Sequence, residues 1–334
     1  MQKTILIGNG PSALSKKLGK EIDEFDTVVR FNTYRIEGFE EYVGTKTDIW
    51  VTTDIFPAWH KDYKEVILCS YNRREDNRTV LKMKEYYPQA HNFPEWSWQE
   101  TIKLMGFSAP SSGAVAAVYF KNVYIYGFDF FAGDRHHYGD KIEACHHNAK
   151  YEMEYFRKLI TGGKIISFHN YLKDLNYKIL HKIYPSYGVG GNWYRDIIIK
   201  IAKENGVKTI LDYGCGKGSL VKLLKKDFDA YGYDPYIPEY SQNSFGDMDM
   251  IVSTDFFEHI ENIDEVCEHI KSMNPKVQFH SISNRKASQI LPDGRNAHLT
   301  IQSPEWWEER LGYMGEVEIL GHNENNNFTM YKIT

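Results

Sequence analysis

The sequence predicts two α/β domains in tandem, and three observations carry that expectation. The chain has 334 residues, beyond the size at which a single hydrophobic core usually stops growing. Two segments about 200 residues apart, "KTILIGNGPSAL" at 3–14 and "VKTILDYGCGKGSLVKLL" at 207–224, share one grammar: a short apolar run, a Gly-rich turn, then helix-compatible sequence. Between them, "YLKDLNYKILHKIYPSYGVGGN" at 171–192 offers a helical stretch followed by a proline and a glycine cluster. The expected organisation is therefore a domain at 1–170, a linker with a helix at 171–190, and a second domain at 191–334.

Composition narrows the function classes. With 42% hydrophobic and 25% charged residues, the chain has a soluble globular composition. A formal net charge of -5 gives no electrostatic reason to expect a nucleic-acid partner, whose phosphates reward clustered Lys and Arg. No run of about 18 apolar residues is present, and a strand pattern begins by Thr4, so neither a transmembrane segment nor a signal peptide is expected. Cys69, Cys145, Cys215 and Cys267 are scattered without a C-x-x-C pair, which suits free thiols in a reducing, cytoplasmic setting. The sequence carries no signal for an oligomeric state.

The first turn, "GNGPSA", follows a strand and invites a Rossmann-like dinucleotide reading. That reading needs an acid at the end of the second strand. The expected second strand, "FDTVVRFN", ends instead in Arg30, Phe31 and Asn32. The alternative is a nucleotide held by amides and backbone N–H groups around Gly8, Asn9, Gly10 and Asn32; the plainer one is that Asn9 tolerates a tight turn and Asn32 caps a strand. Further on, "APSSGAVAAVYF" reads as a small-residue helix entered through Ser111, Ser112 and Gly113. Its start is suited to an anion, because unpaired N–H groups and the macrodipole favour negative charge there. Ser111 or Ser112 as a simple N-cap is the competing reading.

The stretch "RHHYGDKIEACHHNAKYE" at 135–152 concentrates His136, His137, His146 and His147. Adjacent imidazoles aim differently, so the doublets are poor zinc ligands and no metal is expected. His136 and His146 read as surface or capping residues. Glu152 can reach His147 only if that histidine precedes the helix, with Asn148 as its N-cap, because five residues turn about 140° around an ideal helix.

Taken together, these motifs resemble those of the eukaryotic-type, family 29-like sialyltransferases. "ILIGNG" with "EIDEFDTVVRFNTYRIEGFEEYVGTKTDIW" is similar to their long motif, and 109–130 to their short one. "HHYGD" is similar to the third, and His147 with Glu152, spaced H-x4-E, to the very short one. The resemblance covers about residues 3–160 and implies a variant GT-A fold that binds CMP-sialic acid. It implies donor contacts from Asn9, Asn32, Ser111, Ser112 and Gly113, with His147 as base, Glu152 orienting it, and His137 and Tyr138 on the departing phosphate. Animal members join the long and short motifs by a disulfide, and neither motif has a cysteine here; a related CMP-ulosonic acid, Kdo, stays open as donor.

In the second half, "ILDYGCGKGSL" resembles motif I of class I S-adenosylmethionine methyltransferases. Asp212 ends a strand, and Gly214, Gly216 and Gly218 allow close backbone approach. Asp234 follows after 22 residues, where a carboxylate accepts ribose hydroxyls. "TDFFEHI" places Asp255 after a further strand, and His259 and His298 are candidate bases for a hydroxyl acceptor or ordinary packed histidines. The resemblance covers about residues 190–334. The expected whole is a bifunctional transferase that adds a CMP-activated sugar to a glycan and methylates a sugar of the same pathway. Two alternatives stay open: a methyltransferase whose first domain only recognises a CMP-sugar or glycan, and a non-catalytic nucleotide-binding scaffold.

Overall fold

A computed structural model describes residues 3–53, 62–69, 78–131, 138, 147–322 and 327–334. The chain divides into two units, 1–183 with 292–294, and 184–291 with 295–334. The helical part of the segment expected as a linker, Asn176–Ile183, thus counts with the first unit, and its Pro/Gly part, 184–191, with the second.

The first unit is built on seven parallel strands: β1 (Thr4–Ile7), β2 (Thr27–Phe31), β3 (Ile49–Thr52), β4 (Glu65–Leu68), β5 (His91–Asn92), β6 (Val123–Tyr126) and β7 (Ile165–Ser167). Their order is β5-β4-β3-β2-β1-β6-β7. Near-continuous Val/Ile/Leu runs form these strands because helices cover both faces, and every residue of β2 and β3 is buried. The chain reverses direction across the sheet between β1 and β6, and crevices at such switch points open beyond the carboxyl ends of the strands. The helix Ser112–Phe120 is small and apolar all round because Ser112 through Val118 are all buried.

Arg30 explains why β2 lacks the acid of a dinucleotide site. Its guanidinium is fully buried and turns to the backbone: Nη2 donates to the carbonyls of Val43 (2.5 Å) and Gly44 (3.3 Å), and Nε to Lys46 O (3.1 Å) and Thr47 Oγ1 (3.0 Å). It satisfies the end of the helix Glu40–Val43, while its Nη1 has no partner among the described residues.

The second unit holds β8 (Thr209–Tyr213), β9 (Asp229–Tyr233), β10 (Met250–Thr254), β11 (Val277–Ser283), β12 (Val317–His322) and β13 (Phe328–Ile333) in the order β12-β13-β11-β10-β8-β9. β8 to β11 run parallel, and β13 is antiparallel to both β11 and β12. Alternation along the strands feeds two cores: Ile210, Met250 and Val252 pack on one, Leu211 and Ile251 on the other. Both units are thus Rossmann-like α/β folds, as the two strand–turn–helix openings predict. Among the described residues no helix is long and apolar enough to cross a membrane.

Removing a buried charge that is held by several carbonyls exposes all of those acceptors at once. Arg30→Ala is expected to lower the stability of the first unit by on the order of 3 kcal/mol, read from the shift in its urea midpoint.

Candidate functional site

The first site lies at the β1/β6 switch point. After β1 the turn runs through Gly8, Asn9 and Gly10, and Gly8 and Gly10 donate their N–H groups to the carbonyls of Tyr126 and Gly127. A Cβ on Gly8 would stand 2.3 Å from Gly127 O, and one on Gly10 2.6 Å from Asp129 Cγ. These glycines therefore let two chain segments meet, where the motif alone suggested room for a ligand. Asn9 donates from Nδ2 to Phe31 O (2.9 Å), and its buried Oδ1 has no partner among the described residues, an acceptor aimed at the site. Asn32 adopts a left-handed φ of 49° and accepts at Oδ1 from the Thr53 N–H (3.1 Å).

Ser111 is the N-cap of the helix Ser112–Phe120, accepting at Oγ from the Ala114 N–H (3.1 Å). The capping reading and the binding reading hold together, because Ser111, Ser112 and Gly113 also line a cavity of about 590 Å³ with Gly8, Asn9, Gly10, Asn32 and His147. Residues from four distant stretches of sequence thus meet in one place.

His147 precedes the helix Ala149–Thr161, and Asn148 is its N-cap, as expected. The imidazole stacks on Phe131 with 4.9 Å between centroids, and Nδ1 lies 3.3 Å from Ala109 O. A proton on Nδ1 donated to that carbonyl leaves Nε2 as the proton acceptor.

Glu152 does not orient His147. Its Oε1 accepts from the Ser111 N–H (2.8 Å) and Oε2 from Ser111 Oγ (3.0 Å). The first turn of the helix carries the carboxylate toward the neighbouring helix start, away from the imidazole, and burial pushes it up to about 7. Tyr138 also departs from its expected role. Its Oη donates to Arg35 O (2.5 Å) and its N–H to Asn9 O (2.8 Å), so it is buried beneath the Asn9 turn, and its hydroxyl is committed to the backbone. His136, His137 and His146 lie outside the described residues, and with them the expected phosphate contact of His137.

Two contributors were missed from sequence. Asp129, just after β6, receives the Ser12 N–H (3.0 Å) and the Ser12 hydroxyl, and fixes the turn after β1. Phe131 supplies the surface under His147. Their signal was present in "YGFDFF", as an acid and aromatics directly after a strand.

The second site lies between β8 and β10. Asp212 is fully buried at the end of β8; burial and the nearby Asp234 push its carboxyl to about 7, and Oδ1 has no partner among the described residues. Gly214, Gly216 and Gly218 form the turn with φ values of 82°, 52° and 69°, which favour glycine. Asp234 accepts from the Gly216 N–H (3.1 Å) and the Tyr236 N–H (2.9 Å), tying the ends of β8 and β9 together. Asp255 follows β10 and receives a long hydrogen bond from Ser281 Oγ at 3.5 Å. His259 and His298 do come together, with ring centroids 4.9 Å apart. The turn is also covered from within the unit: the Lys217 N–H donates to Gly188 O (2.9 Å), and Lys217 Nζ to Pro185 O (2.8 Å). The glycines of "YGVGG" were the sequence sign of that close approach.

Residues 1–86 match the model of glycosyltransferase family 29 (sialyltransferase). Residues 192–320 match a methyltransferase domain. The first part of the chain is thus similar to family 29 glycosyltransferases and the second to methyltransferase domains. A human CMP-N-acetylneuraminate-beta-1,4-galactoside alpha-2,3-sialyltransferase is 43% identical over 51 residues, 15% of this chain and 14% of that protein. The chain thus spans about a seventh of the length of such curated relatives. A mammalian sialyltransferase structure with Gal-beta-1-3GalNAc-ortho-nitrophenol is similar to 49% of the chain and 68% of its own, at 20% identity and a TM-score of 0.38. An S-adenosylmethionine-dependent methyltransferase from Clostridium acetobutylicum is similar to 47% of the chain and 96% of its own, at 15% identity and a TM-score of 0.35. Cys69, Cys215 and Cys267 are buried, and Cys145 lies outside the described residues.

The buried Glu152 makes the first unit sensitive to pH. Its carboxyl is raised from 4.5 to about 7, so its contribution is fully present below pH 4.5 and is lost as pH rises through about 7. Glu152→Gln should flatten that dependence, on the order of 3 kcal/mol between these limits, in urea unfolding of the first unit followed from pH 4.5 to 8.

Proposed function

We propose that the protein is a bifunctional transferase. Its first unit moves sialic acid, or a related ulosonic acid such as Kdo, from a CMP-sugar to a glycan hydroxyl; its second unit methylates a sugar of the same surface-glycan pathway with S-adenosylmethionine. The observation that carries the reading is the cavity shared by Asn9, Asn32, Ser112 and His147.

The chemistry follows from that cavity. Asn9 Oδ1, buried and without a partner among the described residues, suits a donor group of the nucleotide. The open N–H groups at the start of the helix Ser112–Phe120 suit the sugar carboxylate or the phosphodiester. Nε2 of His147 takes the acceptor hydroxyl's proton as that oxygen bonds the anomeric carbon and the carbon–phosphate oxygen bond breaks, releasing CMP with inversion. A phosphodiester leaving group carries one less charge than a nucleoside diphosphate and needs a metal less, so this transfer is proposed to be metal-independent.

In the second unit the residues fit the methyl donor: Asp212 keeps one buried carboxylate oxygen without a partner among the described residues, suited to an ammonium, and Asp234 stands at the end of β9 where ribose hydroxyls would be accepted. S-adenosylmethionine would supply an activated methyl group. What the chain does is align an acceptor oxygen and exclude water, with the half-buried Tyr187 and Tyr194 close to Asp234, Asp255 and Glu258.

CMP-Neu5Ac, CMP-Kdo and S-adenosylmethionine are each expected to be tested for a rise in melting temperature and for turnover with candidate glycans. One CMP-sugar and S-adenosylmethionine should both bind and turn over. His147→Ala should cut CMP release at least about 100-fold while methyl transfer continues. Methyl transfer without CMP release would reduce the first unit to a recognition module, and failure of all three ligands to bind would leave a scaffold.

A further inference from the structure

Beyond the methyl-donor turn, the second unit gathers Glu258, His259 and His298, each offering a ligand atom, with these atoms within 4.8 Å of one another. Glu258 and His259 belong to a short turn after β10, on the same edge of the sheet as Asp212 and Asp234. Glu258 is fully buried. Its Oε1 accepts from the Ser283 N–H (2.9 Å), while Oε2 has no hydrogen-bond partner among the described residues. Asp255, three residues earlier, accepts from the Ser281 hydroxyl at 3.5 Å. Among the described residues neither carboxylate forms an ion pair.

Both imidazoles are set in the same way. His259 Nδ1 lies 2.7 Å from Ala297 O, and His298 Nδ1 lies 2.5 Å from Arg285 O. Donation from Nδ1 to a carbonyl fixes the tautomer in which Nε2 carries the lone pair, and it is the usual outer support of a metal-bound histidine. Two imidazole nitrogens and a carboxylate oxygen select a divalent transition ion over a hard cation such as Ca²⁺.

We propose that Glu258, His259 and His298 bind one divalent transition-metal ion of the Zn²⁺, Mn²⁺ or Fe²⁺ class beside the methyl-donor turn. This departs from the metal-free expectation, which was argued from the paired imidazoles of the first half. Three protein ligands leave positions open for an acceptor oxygen. Tyr187 connects this place with the donor end, since its hydroxyl feels both Asp234 and Glu258 and its ring lies 6.3 Å from that of His259. The bound ion would lower the pKa of an acceptor hydroxyl, whose proton leaves to solvent. The O–CH₃ bond then forms as the S–CH₃ bond breaks and the sulfonium becomes a neutral thioether. Only this purpose rests on the methyltransferase reading; binding of the ion does not.

The test is Co²⁺ titration of the chelator-treated full chain, followed by visible d–d absorption, with Zn²⁺ as competitor. One Co²⁺ per chain is expected. His259→Ala and His298→Ala should each weaken binding at least tenfold, whereas His298→Asp, which keeps a ligand, should lose less than His298→Ala. The double variant His136→Ala/His137→Ala should bind as the parent does. Absence of stoichiometric Co²⁺, binding unchanged in both single alanine variants, or loss of binding in the double variant would overturn the site. The S-adenosylmethionine melting shift on the same samples reports separately on the methyl-donor reading and on folding of each variant.

Discussion

The clasp between Glu152 and Ser111 organises the first unit. One buried carboxylate receives both the backbone N–H and the hydroxyl of a single serine, and so fixes the start of one helix against the first turn of another. Ser112 and Gly113 open the first helix, and His147 stands just before Asn148, the N-cap of the second. Holding these two ends together is what places an anion-favouring helix start and an imidazole around one cavity. Tyr155 reinforces the pair by donating to Ala114 O at 2.9 Å. A carboxylate is suited to the task because it accepts several donors at once and interacts favourably with the positive end of a helix.

The second unit meets the same physical problem with different partners. Its strands end in acids, the buried Asp212 and Asp234 and then Asp255 with the buried Glu258, where parallel strands leave a crevice. Asp234 is answered by backbone N–H groups from the glycine turn and from Tyr236. Asp212 and Glu258 each keep one oxygen without a hydrogen bond among the described residues. Burying such an atom costs roughly 1–3 kcal/mol. That cost falls at and beyond the carboxyl ends of β8 and β10, while polar groups inside the sheet are paired, as His280 is with Ser253 and Gln278. Stability is given up where binding would restore it.

Several residues serve the fold and the site at once. Ser111 caps a helix and lines the cavity. Asp129 fixes the turn after β1 and borders the same space. Arg30 is the contrast: fully buried beside the site, it spends its donors on the carbonyls that close the helix Glu40–Val43, so the charge that ends β2 is structural.

By itself, the sequence determined the two α/β units, their opening strands and turns, the family 29 and methyltransferase resemblances, and the placing of His147 ahead of an Asn-capped helix. These follow from local periodicity, turn chemistry and capping, which act over a few residues. Only the tertiary structure decided which groups meet. Glu152 faces Ser111 and leaves His147 to Ala109 O and Phe131; Tyr138 gives its hydroxyl to Arg35; Gly8 and Gly10 make room for another strand's turn. His259 and His298, 39 positions apart in sequence, converge with Glu258 because β10 and the loop after β11 end on one edge of the sheet. No local pattern encodes such meetings, because they are set by which strands are neighbours and how far each loop reaches.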